Sequence, residues 1–400
     1  MQRHVPAVLM RGGTSKGLFF HARDLPTDPP ARDRVILAAY GSPDPYRRQV
    51  DGLGGAISTT SKTAVVSPSP DPDYDVVYRF GQVSIDRPIV DWRGNCGNMS
   101  AAVGPFAVDE GLVAPTEPVT RVRIHQQNTD KLIVAEVPVR SGRFDPDGDY
   151  AIDGVPGTGS RITLRFADPA GAVTGKLFPT GHRADSWDVP GVGRLTVTLI
   201  DAVNPIVLLR AEAIGLEGTE IEAIDSDAEI KRMLEAVRCR AAVEAGIAAS
   251  ETEATLRSQA VPKIAVVAAP KAYTTSGGRR LGEGDMDLTA RAMSMGTLHR
   301  SIAVSGAGAL AGAAMIPGTV AYDLVPDRAR RGELLRIGHP GGVIDVGAVV
   351  ELSGGGAVYR EAVLGRTARR LMDGRVLVPA TCFAPGGACD LPAEPGFTSA

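Results

Sequence analysis

The stretch WRGNCGNMSAAVGPFAVDEG, from Trp92 to Gly111, decides the fold of this chain. Between Met99 and Val108 its side chains are mostly small and apolar, so a helix formed here can pack closely on all sides and is predicted to be buried. Cys96 lies at the first turn of that helix, where free backbone N–H groups and the helix dipole favour a thiolate or a bound carboxylate. The alternative interpretation is that Cys96 is a small buried hydrophobe.

A second, weaker copy of this pattern lies in the other half of the chain. Ser305-Gly306 precedes the small apolar run Ala309–Ile316 in the way that Cys96-Gly97 precedes the first run. The repeat predicts two related domains, each wrapped around a small-residue helix. If the two helix N-termini face each other across a cleft, they suit a substrate with several carboxylates.

Composition narrows the class of protein. Of 400 residues, 44% are hydrophobic and only 5% aromatic, with 47 glycines and 29 prolines, which favours an α+β protein of short strands and several domains. A net charge of −3 with scattered Lys and Arg does not indicate a nucleic-acid partner. No apolar run approaches the roughly 18 residues of a membrane-spanning helix, and a signal-peptide core is absent. The four scattered cysteines favour reduced thiols, so we expect a cytoplasmic protein without a membrane partner or a metal.

Two polar segments are candidates for a site. Lys62 stands where a polar loop gives way to the predicted strand Thr63–Ser67. Such a lysine commonly keeps its ammonium in solvent, but one held in a partly dry cleft has a lowered pKa and can act as a base. The turn Arg11–Gly17 joins two predicted strands, and it is either a cradle for carboxylates or phosphate or an ordinary hairpin with a basic tip.

Other segments carry expectations about local structure and domain limits. Asp227–Ala249 is predicted to be one long amphipathic helix, and Ala290–His299 a loop or helix end. Residues 168–193 are rich in Gly and Pro and indicate a domain boundary. The predicted units are an N-terminal domain at 1–184, a C-terminal domain at 185–379 whose last strands are free to return to the first domain, and a flexible tail at 380–400.

Six motifs in chain order resemble those of the PrpF family of 2-methylaconitate and related isomerases. They are MRGGTSKG, GSPDPY with QVDGLGG, TSK before a strand, VDW.GNCGN, SMG.LH and GHP.G, and they run from about Val8 to Val378. That family is similar in fold to diaminopimelate epimerase. The resemblance therefore implies an α+β fold of two pseudo-symmetric domains, each a curled, mainly antiparallel sheet around a central buried helix, with the site between them.

The resemblance also implies roles for individual residues in isomerising small unsaturated di- and tricarboxylates without a cofactor. The catalytic lysine of the TSK motif is Lys62, and the catalytic cysteine of the NCGN motif is Cys96. The residues expected to bind substrate are Arg11, Thr14, Ser15, Lys16, Ser61, Asn95, Gly97, Asn98, Met295, Ser305, Gly306, His339, Gly341 and Gly342.

Several alternatives stay open at this point. The leading expectation is a cis–trans or allylic isomerase of a 2-methylaconitate-type acid, with a homodimer as a possible assembly. The alternatives are a 4-oxalomesaconate tautomerase, an aconitate or 3-methylitaconate delta-isomerase, and a non-catalytic carboxylate-binding protein. Ser305 stands where related racemases carry a second cysteine, which argues against two-thiol racemisation. Which of Lys62 and Cys96 is the base is not decided by the sequence.

Overall fold

The computed structural model describes residues 1–190, 192–331 and 334–384. Within these residues the chain forms seven α-helices and 21 strands. The helices are α1 (Pro29–Tyr40), α2 (Gly97–Asp109), α3 (Glu222–Ser226), α4 (Ala228–Glu244), α5 (Glu251–Arg257), α6 (Val304–Met315) and α7 (Asp327–Arg330). None of these described helices is long and apolar enough to cross a membrane.

The strands divide between the two halves of the chain. Those of the first half are β1 (Gln2–Gly12), β2 (Ser15–His21), β3 (Lys62–Pro68), β4 (Val76–Val83), β5 (Val90–Asp91), β6 (Val119–Gln126), β7 (Lys131–Arg140), β8 (Arg143–Phe144) and β9 (Ile162–Ala167). Those of the second half are β10 (Asp185–Val189), β11 (Gly193–Ala202), β12 (Asn204–Arg210), β13 (Lys263–Ala268), β14 (Tyr273–Thr274), β15 (Arg280–Leu281), β16 (Leu288–Ser294), β17 (Thr297–Leu298), β18 (Leu335–His339), β19 (Gly342–Ser353), β20 (Gly356–Arg366) and β21 (Ala368–Pro379).

The pairing of the strands shows that the two halves are pseudo-symmetric. In the first half the strand order is β1-β2-β3-β4-β6-β7-β9. Along this order the six successive pairs are antiparallel, parallel, antiparallel, parallel, antiparallel and antiparallel. In the second half the order β11-β12-β13-β16-β18-β19-β20 repeats the same succession of pairings. In each half a long helix, α2 or α6, follows the fourth strand. The repeat that the sequence predicts is therefore confirmed at the level of topology.

The C-terminal strands connect the halves. β20 pairs with β9 of the first half as well as with β19 of the second. β21 then lies antiparallel along the whole of β1. The last strand thus completes the sheet of the first half, although it comes from the end of the chain.

The segment expected to be a flexible tail begins with ordered residues. Residues 380–383 form a 3-10 turn in which Cys382 is buried. Arg34 of α1 donates hydrogen bonds to the carbonyls of Cys382 and Ala384, at 3.3 and 2.7 Å. The remainder of that segment, from residue 385, lies outside the described residues.

Two helices occupy the centres of the halves because their side chains are small. All residues of α6 and all but the last of α2 are buried. A Cβ atom at Gly312 of α6 would stand 2.4 Å from the ring of Tyr359. At the start of α2, a Cβ at Gly97 would stand 2.3 Å from the side chain of Val304, the first residue of α6. The two helices therefore touch at their N-terminal ends, and their glycines allow this approach.

Two local expectations are wrong. The predicted helix Asp227–Ala249 is shorter, since α4 ends at Glu244 and a separate helix, α5, starts at Glu251. The segment predicted as a loop or helix end, Ala290–His299, is the strand β16, a turn and the short strand β17.

Polar residues inside β16 conceal its burial from sequence patterns. Arg291 is fully buried, and its guanidinium donates to the carbonyls of Glu220 and Thr219 at 2.8 and 3.0 Å. It also lies 4.6 Å from the ring centroid of Tyr273. These partners are distant in the chain, so only the tertiary structure shows that a charged residue can be buried in this strand.

We expect Gly312→Ala to destabilise the fold. The added methyl overlaps the fully buried Tyr359 ring, and overpacking of this kind costs about 1–3 kcal/mol. The loss is to be measured as a lower midpoint in denaturant-induced unfolding. Gly374→Ala is the matched control, since nothing lies within 4 Å of a Cβ there. Equal midpoints for the two variants would contradict the packing argument.

Candidate active site

A buried cavity lies where the N-termini of α2 and α6 meet, and both halves of the chain contribute to its wall. Its lining residues are Ser15, Lys62, Phe80, Gln82, Asp91, Gly94, Asn95, Cys96, Asn98, Asn204, Ala260, Val261, Lys263, Ser294, His299, Ala303 and Ser305. Among the described residues, no group of three or more His, Cys, Asp or Glu side chains is arranged to hold a metal ion.

Lys62 is held in the cavity by an amide on the neighbouring strand. It begins β3 and lies directly opposite Gln82 of β4. Its ammonium donates a 2.5 Å hydrogen bond to Gln82 Oε1, while Gln82 Nε2 donates to the carbonyls of Ser58 and Ser61 at 3.1 and 3.0 Å. These two bonds orient the amide oxygen towards the lysine. Burial lowers the pKa of Lys62, with the nearby Cys96 acting in the opposite direction.

Cys96 is the N-cap of α2 rather than part of its first turn. Its thiol is only 8% exposed, and it makes no capping hydrogen bond to the helix. The backbone N–H groups at this end of the helix therefore keep donor capacity towards the cavity. Asn95 and Asn98, on either side of the cysteine, also line the cavity.

The second half contributes a corresponding helix end with a hydroxyl in place of a thiol. Ala303, the N-cap of α6, has no side-chain capping bond, and Ser305 follows two residues later. Among the described residues, the buried Ser305 Oγ has no hydrogen-bond partner, and the same holds for Ser15 Oγ and Asn204 Oδ1, which also line the cavity. Because buried polar atoms are normally satisfied, these three indicate a site for a polar ligand.

Two basic side chains of the second half face the same space. Burial lowers the pKa of His299 to about 3, with Lys62 and Lys263 adding repulsion. Its Nδ1 accepts a 3.1 Å bond from the N–H of Ser301, so the neutral ring carries its proton on Nε2. Burial also lowers the pKa of Lys263 to about 8, followed by repulsion from Lys62.

The structure brings part of the predicted site together. The predicted residues that line the cavity are Ser15, Lys62, Asn95, Cys96, Asn98 and Ser305. Thr14 lies one contact away, since Asn98 Nδ2 donates to Thr14 Oγ1 at 3.1 Å and Asn98 Oδ1 accepts from the Thr14 N–H at 3.3 Å.

Three further predicted residues near the β1–β2 turn and before Lys62 are also not among the lining residues. Arg11 donates to the carbonyls of Gly13 and Thr367, at 2.9 and 3.1 Å. Lys16 is paired with Arg11 across the β1–β2 hairpin, whereas Ser15, next to it, lines the cavity. Successive side chains of a strand point to opposite faces, which explains why only Ser15 of this turn reaches the cavity. Ser61 donates to Gln49 Oε1 at 2.6 Å and so helps to order the loop before Lys62.

The remaining predicted residues do not line the cavity either. Gly97 and Gly306 lie in the first turns of α2 and α6, and Gly97 permits the close packing of these two helices. Met295 lines a small neighbouring pocket behind β16. In the last motif, His339 Nδ1 accepts a 3.1 Å bond from the N–H of Gly341. A Cβ at Gly342 would overlap the carboxylate of Asp153, so this turn packs against the chain.

The predicted site residues did not include six polar or charged residues of the cavity: Gln82, Asp91, Asn204, Lys263, Ser294 and His299. Strand pairing could have indicated Gln82, opposite Lys62. The internal repeat could have indicated Lys263, because it begins the strand of the second half that corresponds to β3.

The pairing of the strands around two buried helices defines the fold. Two pseudo-symmetric halves of curled sheet, each around a buried helix, enclose the cavity at their junction, and this is the diaminopimelate epimerase-like fold. A crystal structure of a hydroxyproline epimerase from Agrobacterium vitis shares this fold, with a TM-score of 0.54, 14% identity and 94% of each chain covered.

Closer similarity identifies the family. The PrpF protein family model matches residues 2–379. The chain is 45% identical to a 2-methyl-aconitate isomerase of Cupriavidus necator, over 96% of this chain and 99% of the relative. It is also 45% identical to a 3-methylitaconate isomerase of Eubacterium barkeri, over 94% and 98%. A crystal structure of methylitaconate-delta-isomerase superposes with a TM-score of 0.77 at 44% identity, over 96% of this chain and 98% of that one. The chain belongs to the PrpF family, and it is an isomerase.

The buried, neutral His299 predicts a loss of stability in acid. The unfolded chain takes up a proton near the ordinary pKa of 6.5, whereas the folded chain does so only near 3. Stability therefore falls as the pH drops below 6.5, by about 2 kcal/mol at pH 5 from this residue. His299→Asn should flatten the dependence of the free energy of unfolding on pH between 5 and 6.5. An unchanged slope in this variant would show that His299 is protonated in the folded protein.

Proposed function

We propose that this protein isomerises a small unsaturated di- or tricarboxylate of the 2-methylaconitate type, by proton transfer between its own side chains and the substrate. The observation that carries this is the presence of Lys62 and Cys96 in one buried cavity that both helix N-termini and unpaired hydroxyls also face. The similarity to isomerases of methylaconitate and methylitaconate supports the substrate class.

The charges of the cavity suit an anion with several carboxylates. Two lysines, Lys62 and Lys263, line it, and the carboxylate that lines it, Asp91, is held by Arg93 at 2.9 and 3.0 Å. The free N–H groups of α2 and α6 add partial positive charge at the junction. The hydroxyls of Ser15 and Ser305 are available as donors to carboxylate oxygens.

The chemistry that follows is an allylic proton transfer. A C–H that is allylic to a double bond conjugated with a carboxylate gives, on loss of its proton, a dienolate whose charge lies on carboxylate oxygens. Donors fixed around those oxygens stabilise that charge in a water-poor site. The lowered pKa of Lys62 increases the share of free amine that can take the proton, and Cys96 is the partner that holds or returns one.

Two outcomes follow from the same dienolate. Return of the proton to the original carbon after rotation changes cis to trans, whereas return to the other allylic carbon moves the double bond. The second outcome, a delta-isomerase, is favoured by the similarity to the methylitaconate-delta-isomerase structure over 96% of this chain.

The proposal predicts exchange of substrate protons with solvent. Purified protein incubated in heavy water with 2-methylaconitate-, aconitate- and itaconate-type acids should incorporate deuterium at the allylic carbon, together with isomerisation, as followed by NMR. A protein that only binds carboxylates would move no protons. Absence of exchange and of isomerisation with all of these acids would overturn the enzymatic proposal for this substrate class.

Substitution of the proton-transfer pair should abolish turnover without unfolding the chain. Lys62→Met and Cys96→Ala should each lower kcat by about 10²–10⁴-fold, the usual contribution of a positioned acid or base. The matched controls are Lys271→Met and Cys239→Ala, since Lys271 pairs with Glu217 outside the cavity and Cys239 is a buried free thiol of α4. Circular dichroism melts should show folded protein in all four. A fully active Lys62 or Cys96 variant would exclude that residue from catalysis.

A further inference from the structure

Lys263 occupies in the second half the position that Lys62 occupies in the first. Each lysine begins the third strand of its half, β13 or β3. Each of these strands runs parallel to the preceding long strand and antiparallel to the following one. Both lysines line the same cavity. The pseudo-symmetry of the fold therefore places two lysines, one from each half, in the lining of one cavity.

The protein does not neutralise these two charges itself. Among the described residues, neither lysine forms an ion pair with a carboxylate, and Lys263 donates one long hydrogen bond, 3.4 Å, to the carbonyl of Ala260. Asp91 lines the cavity, but its two oxygens accept from Arg93. A desolvated ammonium without a counter-ion is unfavourable unless a ligand supplies the negative charge.

We propose that Lys263, which belongs to the second half of the chain, binds a carboxylate of the substrate. It thereby selects acids that carry an additional carboxylate beyond the one conjugated to the reacting carbons. This inference rests on the proposed function and assigns a specificity residue to the same cavity. The bond formed is an N–H···O hydrogen bond between an ammonium and a carboxylate, which is among the stronger polar contacts in proteins.

The environment of Lys263 gives this contact a dependence on pH. The charged or titratable groups that act on it are Lys62 of β3, Cys96 at α2, Asp91 of β5 and Arg238 of α4. Their combined effect with burial brings its pKa to about 8 in the free protein. Above that pH the amine loses its charge, so the affinity for a carboxylate should decline as the pH rises through 8.

The test measures binding of saturated acids, which cannot react. Tricarballylate, glutarate and methylsuccinate share a three-carbon chain, and each of the two dicarboxylates lacks one carboxylate of the first. By isothermal titration calorimetry at pH 7, Lys263→Met should weaken tricarballylate binding about tenfold or more. One of the two dicarboxylates lacks the carboxylate that Lys263 binds. Lys263→Met should change the affinity for that acid by less than twofold.

Two further variants separate this contact from a structural role. Lys263→Arg should keep binding of tricarballylate within a few-fold and lessen its decline above pH 8, because a guanidinium stays charged there while Lys62 still titrates. Lys271→Met is the control, since that lysine lies on the same half and pairs at 3.6 Å with Glu217 outside the cavity. It should bind all three acids as the unsubstituted protein does.

Three results would overturn the inference. One is tricarballylate binding by Lys263→Met that equals that of the unsubstituted protein. The second is an equal loss of affinity for all three acids, which indicates a general structural or long-range effect. The third is a loss of tricarballylate affinity in Lys263→Arg as large as that in Lys263→Met, since a retained positive charge would then not restore the contact. If any of these occurs while exchange in heavy water proceeds, Lys263 loses its role and the proposed function stands. Failure of all three acids to bind, together with absent exchange, would overturn both.

Discussion

The close contact of two buried helices at their N-terminal ends is the constraint on which the rest of this structure depends. There is no space for a side chain at Gly97 against Val304, so the backbone of α2 packs directly on the side chain of the first residue of α6. Because all residues of α6 and nearly all of α2 are buried, each must be enclosed by a curled sheet. The enclosure brings two sets of free N–H groups to one point, and the cavity forms there.

Pseudo-symmetry explains the composition of the cavity. Each half supplies a helix N-terminus and a lysine at the start of its third strand, but the side chains at the helix ends differ. The first half has the thiol of Cys96, whereas the second has the hydroxyl of Ser305. A serine hydroxyl is a far weaker acid than a thiol, so the two halves are unequal in proton transfer. The inequality suits a reaction in which an amine and a thiol share the proton, rather than one between two thiols.

Burial determines the ionisation of the cavity more than any individual ion pair does. It is the largest cause of the lowered pKa values of Lys62, Lys263 and His299. His299 is neutral as a result, and Lys263 has a pKa of about 8, close to the physiological range. Groups that are desolvated and lack a protein counter-ion are characteristic of functional sites, because their imbalance is relieved by the ligand. The unpaired hydroxyls of Ser15 and Ser305 fit the same pattern.

The sequence by itself determined the class of fold, the two central helices and the family, because small-residue runs and linked multi-residue motifs are local properties. Cys96 and Lys62 were identifiable in this way. Only the tertiary structure decided which neighbours of these motifs reach the cavity. Strand alternation turns Ser15 inward and leaves Arg11 and Lys16 outside the lining, and pairing between distant strands adds Gln82. Lys263 belongs to the site because the two halves share one topology and enclose one cavity. The residues around Lys263 show almost no trace of this repeat, so the topology was needed to identify it.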